Sequence, residues 1–391
     1  MIVTRLISFH VRFASTCCGV ALSLRLATTV LLVGIALSSA VRAQTAPATA
    51  RPELQQLAPG EWTWFDGSST VGTACESFDG GIMTGFCGQP GVYGTLGTIA
   101  LGNVPGSRFA ATRWTDANGH FWLFGGYGID ANGNYGPLND LWESDTLGNA
   151  WGWVGGISML TSSAGQPGVY GTLGTPSTAN IPGGRQGAVS WTDSSGNLWL
   201  FGGNGIDANG TPAGLENDLW RFNPTTTQWT WMSGSQTVPA VYSGQPGVYG
   251  TLGTPAPGNT PGGRENATAW TDSSGNLWLF GGVGFDVNGS EGVLNDLWEF
   301  SSSTNEWTWI GGSNTSGPSG AYGTLGSGAS GNVPGGRQEA ASWTDSSGNF
   351  WLFGGGGIDS AGSAGDLNDL WEFNFSSKQW AWMGGPSTFT T

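Results

Sequence analysis

The pentapeptide Trp-Leu-Phe-Gly-Gly occurs four times, from Trp122 to Gly126, Trp199 to Gly203, Trp278 to Gly282 and Trp351 to Gly355. Each copy follows an Arg and a Trp-Thr-Asp: Arg108 with Trp114, Arg185 with Trp191, Arg264 with Trp270, and Arg337 with Trp343. Each is followed by Asn-Asp-Leu-Trp, beginning at Asn139, Asn217, Asn295 and Asn368, and then by a closing Trp-x-Trp. Five tryptophans per unit, with a leading pair at Trp62 and Trp64, account for all 22 in the chain. The arginines are 77, 79 and 73 residues apart, a regularity of repeat architectures and not of a single-core fold.

Within a unit the apolar runs are too short for helices and are broken by turn residues, so they read as strands. Trp199 and Phe201 share one face and Leu200 takes the other; Asp218, Trp220 and Phe222 likewise oppose Leu219. Both faces are therefore apolar, and a sheet buried on both sides has to lie between neighbours, as propeller blades do. The run Asp193-Ser194-Ser195-Gly196 supplies a hairpin turn, and the Gly202-Gly203 pair permits a sharp exit. About four strands per unit result, the number in one blade.

These residues resemble the kelch family of β-propellers, marked by a strand ending in Gly-Gly and followed by paired aromatics. Leu-Phe-Gly-Gly, Leu-Trp-x-Phe and Trp match in every unit but the first, where Ser144 replaces the Phe. The resemblance covers residues 61–383 and extends to exported bacterial proteins called galactose-oxidase-like. It implies an all-β, kelch-type propeller of four long repeats (about 104–153, 181–231, 260–309 and 333–382) with an additional N-terminal strand. Residues 44–60 form a linker and 384–391 a tail. The period exceeds the roughly 50 residues of a kelch unit, because a connector with Tyr-Gly-Thr-Leu-Gly, at Tyr93, Tyr170, Tyr249 and Tyr322, precedes each Arg. These connectors are expected to be ordered loops that carry function. A small closed ring, an open arc and pairing between chains are all compatible with four units.

Arg5, Arg12 and Arg25 precede an uncharged run from Ala27 to Ala40 and a small-residue cleavage site ending at Ala43, so residues 1–43 read as an export signal. The run is shorter than the roughly 20 residues of a spanning helix, and no membrane span is expected after removal. The segment takes four of the 12 basic residues and no acid, leaving 8 against 27 and a net charge of −19. A secreted, periplasmic or cell-surface location follows, and so acidic a chain is a poor partner for nucleic acid. Outside the cytoplasm Cys75 and Cys87 are expected to form a disulfide, worth about 3 kcal/mol in the chain-entropy model.

The mature chain holds one histidine, His120, in a turn slot that the other units fill with Asn197, Asn276 and Asn349; it reads as a solvated turn residue. A copper radical oxidase needs two His ligands, and Ser-His-Asp or Cys-His systems need a base, so those chemistries are set aside. Carboxylate-based glycoside hydrolysis survives as an alternative, with the unrepeated acids Glu216, Glu265 and Glu339 as candidates. Asp140, Asp218, Asp296 and Asp369 recur and read as turn residues or partners of the arginines. Arg108, Arg185, Arg264 and Arg337 have two readings. They are either buried forks between blades or a ring at the channel mouth that attracts an anion. Tyr93, Tyr127, Tyr135 and Tyr242 are expected as exposed stacking platforms, whereas most tryptophans belong between blades. The Gly-x-Asp-x-Asn-Gly loops at Asp130, Asp207 and Asp286 lack the spacing of a helical Ca²⁺ loop and read as Asx turns, with Ca²⁺ binding as the alternative; no cofactor or metal is assigned. The expected function is a non-catalytic scaffold for a glycan or a surface protein, with a structural or adhesive envelope role as a further alternative.

Overall fold

The computed structural model describes residues 67–70, 74–75, 87–161 and 165–389. The export signal, the linker and the Trp62–Trp64 pair lie outside the described residues. The described residues fall in one compact unit, and their secondary structure is all strand. No described helix is long and apolar enough to cross a membrane.

Each repeat builds a four-stranded antiparallel blade. Blade 2 runs Val189–Thr192, Leu198–Phe201, Leu219–Asn223 and Gln228–Ser233, in that spatial order. Blade 3 repeats it with Thr268–Thr271, Leu277–Phe280, Leu297–Ser301 and Glu306–Gly311. Blade 1 begins at Thr112–Thr115 and ends at Trp151–Gly155; blade 4 begins at Ala341–Thr344 and ends at Gln379–Gly384. Strand one turns into strand two on an aspartate: Asp193 Oδ1 accepts the amides of Ser195 and Asn197, both at 2.9 Å, and Asp272 does the same for Ser274 and Asn276. The expected all-β, repeated-blade architecture is present.

Alternation decides which side chain enters which seam. Leu198 and Leu200 join the cluster shared with blade 1, whereas Trp199 and Phe201 join the one shared with blade 3. Rings interlock there: Trp122 meets Phe222 at 5.5 Å, Trp199 meets Phe300 at 5.5 Å and Trp278 meets Phe373 at 5.7 Å. Burying one such ring contributes about 4–6 kcal/mol of transfer free energy before conformational entropy opposes it. Trp270 and Trp307 keep a buried indole NH without a partner, but many of the others in these slots find one. Trp199 Nε1 donates to Asp193, Trp220 Nε1 to Asp218, and Trp191 Nε1 crosses the seam to the carbonyl of Trp278 at 2.9 Å.

Main-chain links reinforce each seam. Gly203 N donates to Arg264 O at 2.8 Å and Arg264 N to Glu216 O at 3.1 Å; the pairs Gly126–Arg185 and Gly282–Arg337 repeat the first link. This crossing explains the Gly-Gly motif, since Gly202 and Gly203 have φ of +66° and +96°, and a Cβ on Gly202 would stand 2.6 Å from Arg264 O. Ahead of each blade a small ladder forms around the Arg, as where Arg185–Gln186 pairs with Asn204–Gly205 and that with Gly214–Leu215. Along the inner edge Gly187, Asn266 and Glu339 each donate an amide to the preceding unit, at Ala110, Gly187 and Asn266. Among the described residues no equivalent link joins blade 4 back to Arg108 or Ala110. Of the arrangements open to four units, the described residues form an open arc.

The connectors close the outer edges. Tyr249 packs on Trp298 at 4.8 Å and edge-on to Trp309 at 5.2 Å, and Asn259 Nδ2 donates to the carbonyls of Thr254 and Trp307. The same contacts recur with Tyr93, Tyr170 and Tyr322. Covering the edge strand in this way blocks edge-to-edge pairing.

Candidate functional site

The repeat arginines do not ring a channel mouth. Arg264 Nη1 and Nη2 fork onto Asp296 at 2.6 and 2.8 Å, Nη1 also reaches Gly281 O, and Nε reaches Gly262 O. Arg185 with Asp218, Arg337 with Asp369 and Arg108 with Asp140 copy the arrangement. The Asp296 carboxylate is completed by the Tyr249 hydroxyl and by Trp298 Nε1, both at 2.7 Å. Burial alone would lower the Arg264 pKa, but the Asp296 charge and its hydrogen bonds overturn that and raise it. Burial followed by the Asp296 charge pushes the Tyr249 hydroxyl far up, so it stays protonated and donates. With its donors directed at Asp296 and the two carbonyls, Arg264 is buried with no accessible surface, and it and its copies tie strand, connector and blade together.

Of the four tyrosines expected as platforms, Tyr93 and Tyr135 are buried and Tyr127 is half-buried. Tyr93 donates to Asp140 at 2.7 Å, the structural role of the connector tyrosines. Tyr242 is exposed, held at φ +56° on a turn braced by Ser243 and running beside Leu215. The Gly-x-Asp loops are Asx turns. Asp286 accepts the amides of Asn288 and Ser290 and, across 30 residues, that of Ser316; burial would raise its pKa, but these amides together lower it. Cys75 and Cys87 stand opposite each other in an antiparallel ladder, a backbone register within reach of a disulfide.

His120 is not simply solvated. Its Nδ1 lies 2.9 Å from Glu143 Oε1 and 3.3 Å from Asp116 Oδ2. In blade 3 the amide of Asn276 bridges Asp272 and Glu299 in the same way, and in blade 4 Asn349 bridges Asp345 and Glu372. His120 therefore does an asparagine's work. The trio is the one His/Asp/Glu group among the described residues compact enough for a metal ion.

Among the positions that differ from unit to unit are those of the inner edge. The residue after the Arg is Phe109, Gln186, Glu265 or Gln338; its ladder partner is Tyr127, Asn204, Val283 or Gly356; the next inner residue is Ala110, Gly187, Asn266 or Glu339. Phe109 stacks on Tyr127 at 5.9 Å, and Tyr127 meets Tyr135 at 4.8 Å. One cavity of about 360 Å³ lies over these rings, and another of about 110 Å³ joins Tyr127 to Gln186, Asn204 and Pro212. The Gln186 Oε1 atom is buried without a hydrogen-bond partner. Next along, Glu265 approaches Gly187 so closely that a Cβ there would be 3.0 Å from its Oε2. Burial raises the Glu265 pKa, an Asn204 hydrogen bond opposes this, and the charges of Glu291 and Glu339 add to the rise. Aromatic, amide and carboxylate groups thus follow one another along a strip.

Three unrepeated acids were candidates from sequence, and the strip takes two. Glu265 and Glu339 lie on it, whereas Glu216 is buried in the slot that Leu138, Leu294 and Leu367 fill elsewhere. Phe109, Gln186, Asn204, Asn266 and Glu291 were not singled out from the sequence; aligning the four repeats and reading where they disagree would have found them.

No family model and no curated protein matches the chain. Among solved structures the chain is similar to that of YjhT, a kelch-repeat β-propeller protein, at 14% identity, over 73% of this chain and 86% of that one, with a TM-score of 0.39.

Proposed function

We propose that this is an exported, galactose-oxidase-like kelch scaffold, placed in the periplasm, at the cell surface or outside the cell, that binds a glycan without covalent chemistry. The reading rests on one observation: a framework repeated almost residue for residue varies on its inner edge, where rings, amides and carboxylates adjoin. Flat rings such as Phe109 and Tyr127 suit pyranose faces, and the unpartnered Gln186 oxygen suits a hydroxyl donor. Constancy elsewhere keeps the scaffold stiff while the strip sets specificity.

A carboxylate-based glycosidase is the second reading, favoured by the raised pKa of Glu265 beside Glu291 and Glu339. A glycan array followed by titration calorimetry and a reducing-end assay separates them. Binding without release of reducing ends, weakened at least tenfold by Glu265→Gln, supports the scaffold. Turnover abolished by Glu265→Gln supports the enzyme and overturns the scaffold. Capture of a surface protein with no glycan bound would transfer the strip to a protein ligand.

A further inference from the structure

The two ends of the arc are unfinished in complementary ways. In blades 1 to 3 the first-strand tryptophans are sealed in seams, with Trp114, Trp191 and Trp270 exposed by 3–5%, but Trp343 in blade 4 is 42% exposed. Phe353 is 45% exposed where Phe124, Phe201 and Phe280 are at 0–1%. At the other end Phe121 is 52% exposed, although its counterparts Leu198, Leu277 and Phe350 are at 0%. One face is the kind that meets a following blade and the other the kind that meets a preceding one, and the chain carries both.

We infer that blade 4 of one molecule docks head to tail on blade 1 of a second copy of this chain. The seam between blades 3 and 4 provides the template. There Phe350 lies flat on Trp270, with centroids 5.2 Å and planes 9° apart, and edge-on to Trp278 at 5.3 Å. Phe121 occupies the Phe350 position, and Trp343 with Trp351 occupy those of Trp270 and Trp278. With no Phe against them, Trp343 and Trp351 stack on each other at 5.8 Å and 8°. Phe121 of the second copy inserts against this pair. Gly355 N then meets the Arg108 carbonyl of the second copy, as Gly126 N meets Arg185 O and Gly282 N meets Arg337 O. The contact is heterologous, so two copies close a ring if the rotation allows and chain onward if it does not. Both copies are strongly acidic, so salt strengthens the association by screening their repulsion.

Sedimentation velocity over a concentration series, with the wild type, Trp343→Glu, Phe121→Glu and an equimolar mixture of the two variants, tests this. Both side chains are exposed, so circular dichroism and melting confirm that each variant folds. The wild type is expected to associate, more strongly as salt rises. Each variant alone should associate at least tenfold more weakly, whereas the mixture regains a heterodimer through its one intact pair of faces. A monomeric wild type overturns the inference; if quenchers cannot then reach Trp343, the chain's own undescribed residues cover the face. Single variants that associate like the wild type, or a mixture that stays monomeric, overturn it equally.

Discussion

Glu216 shows how a single residue can depart from its own repeat. Three units place a leucine in its slot, and it lies buried with Oε1 unpartnered, close to the charges of Asp218, Arg185 and Asp207. Burial first, and then the Asp218 charge, raise its pKa well above the ordinary 4.5. Below that value the group is protonated in folded and unfolded chains alike. Above it the unfolded chain releases a proton that the folded chain retains, so stability falls as pH rises toward the folded value. Glu216→Leu is therefore expected to stabilise by about 1–3 kcal/mol at pH 7, with a gain that shrinks toward pH 4.5; urea melts at several pH values check it. Arg264→Gln should act in the opposite direction. It leaves Asp296 buried and short of its fork, at about 3–5 kcal/mol of stability by the same melts. Sequence left the arginines between two roles because their register is equally consistent with either; burial against the aspartates decides it. A position such as Gln186 was illegible for a different reason, since nothing in its local sequence marks the inner edge.

Within an element, the aspartate turns carry a long-range duty that spacing does not reveal. Asp286 closes its own loop and also anchors Ser316, beyond the outermost strand. Replacing it by Ala should speed exchange of the Asn288, Ser290 and Ser316 amides at least tenfold in hydrogen-exchange mass spectrometry, with the amides of Leu277–Phe280 protected as before. Strands and hairpins were readable because alternation and Asp-x-x-Gly turns are local signals. The connectors were readable as ordered, yet not as edge covers, because the contact of Tyr249 with Asp296 spans 47 residues. For the ladder of Ala74–Cys75 with Cys87–Gly88, the two cysteines should resist alkylation until a reductant is added, as intact mass would show.

For the whole molecule, the repeat announced blades, and the Trp slots announced seams, because both follow from a period and a two-sided apolar pattern. Whether the ring closes was not readable, since Trp343 has the same sequence surroundings as Trp191 and differs only in having no following blade in the described residues. Division of labour is the physical point: what the repeats share builds the arc, and its inner edge is lined by residues that they do not share. The double variant Tyr127→Asn/Glu265→Gln uses residues that neighbouring repeats already carry there, Asn204 and Gln338. Titration calorimetry of this variant against the array's best glycan is the most direct test. Binding weakened at least tenfold in a protein that melts like the wild type is expected; unchanged affinity would contradict it.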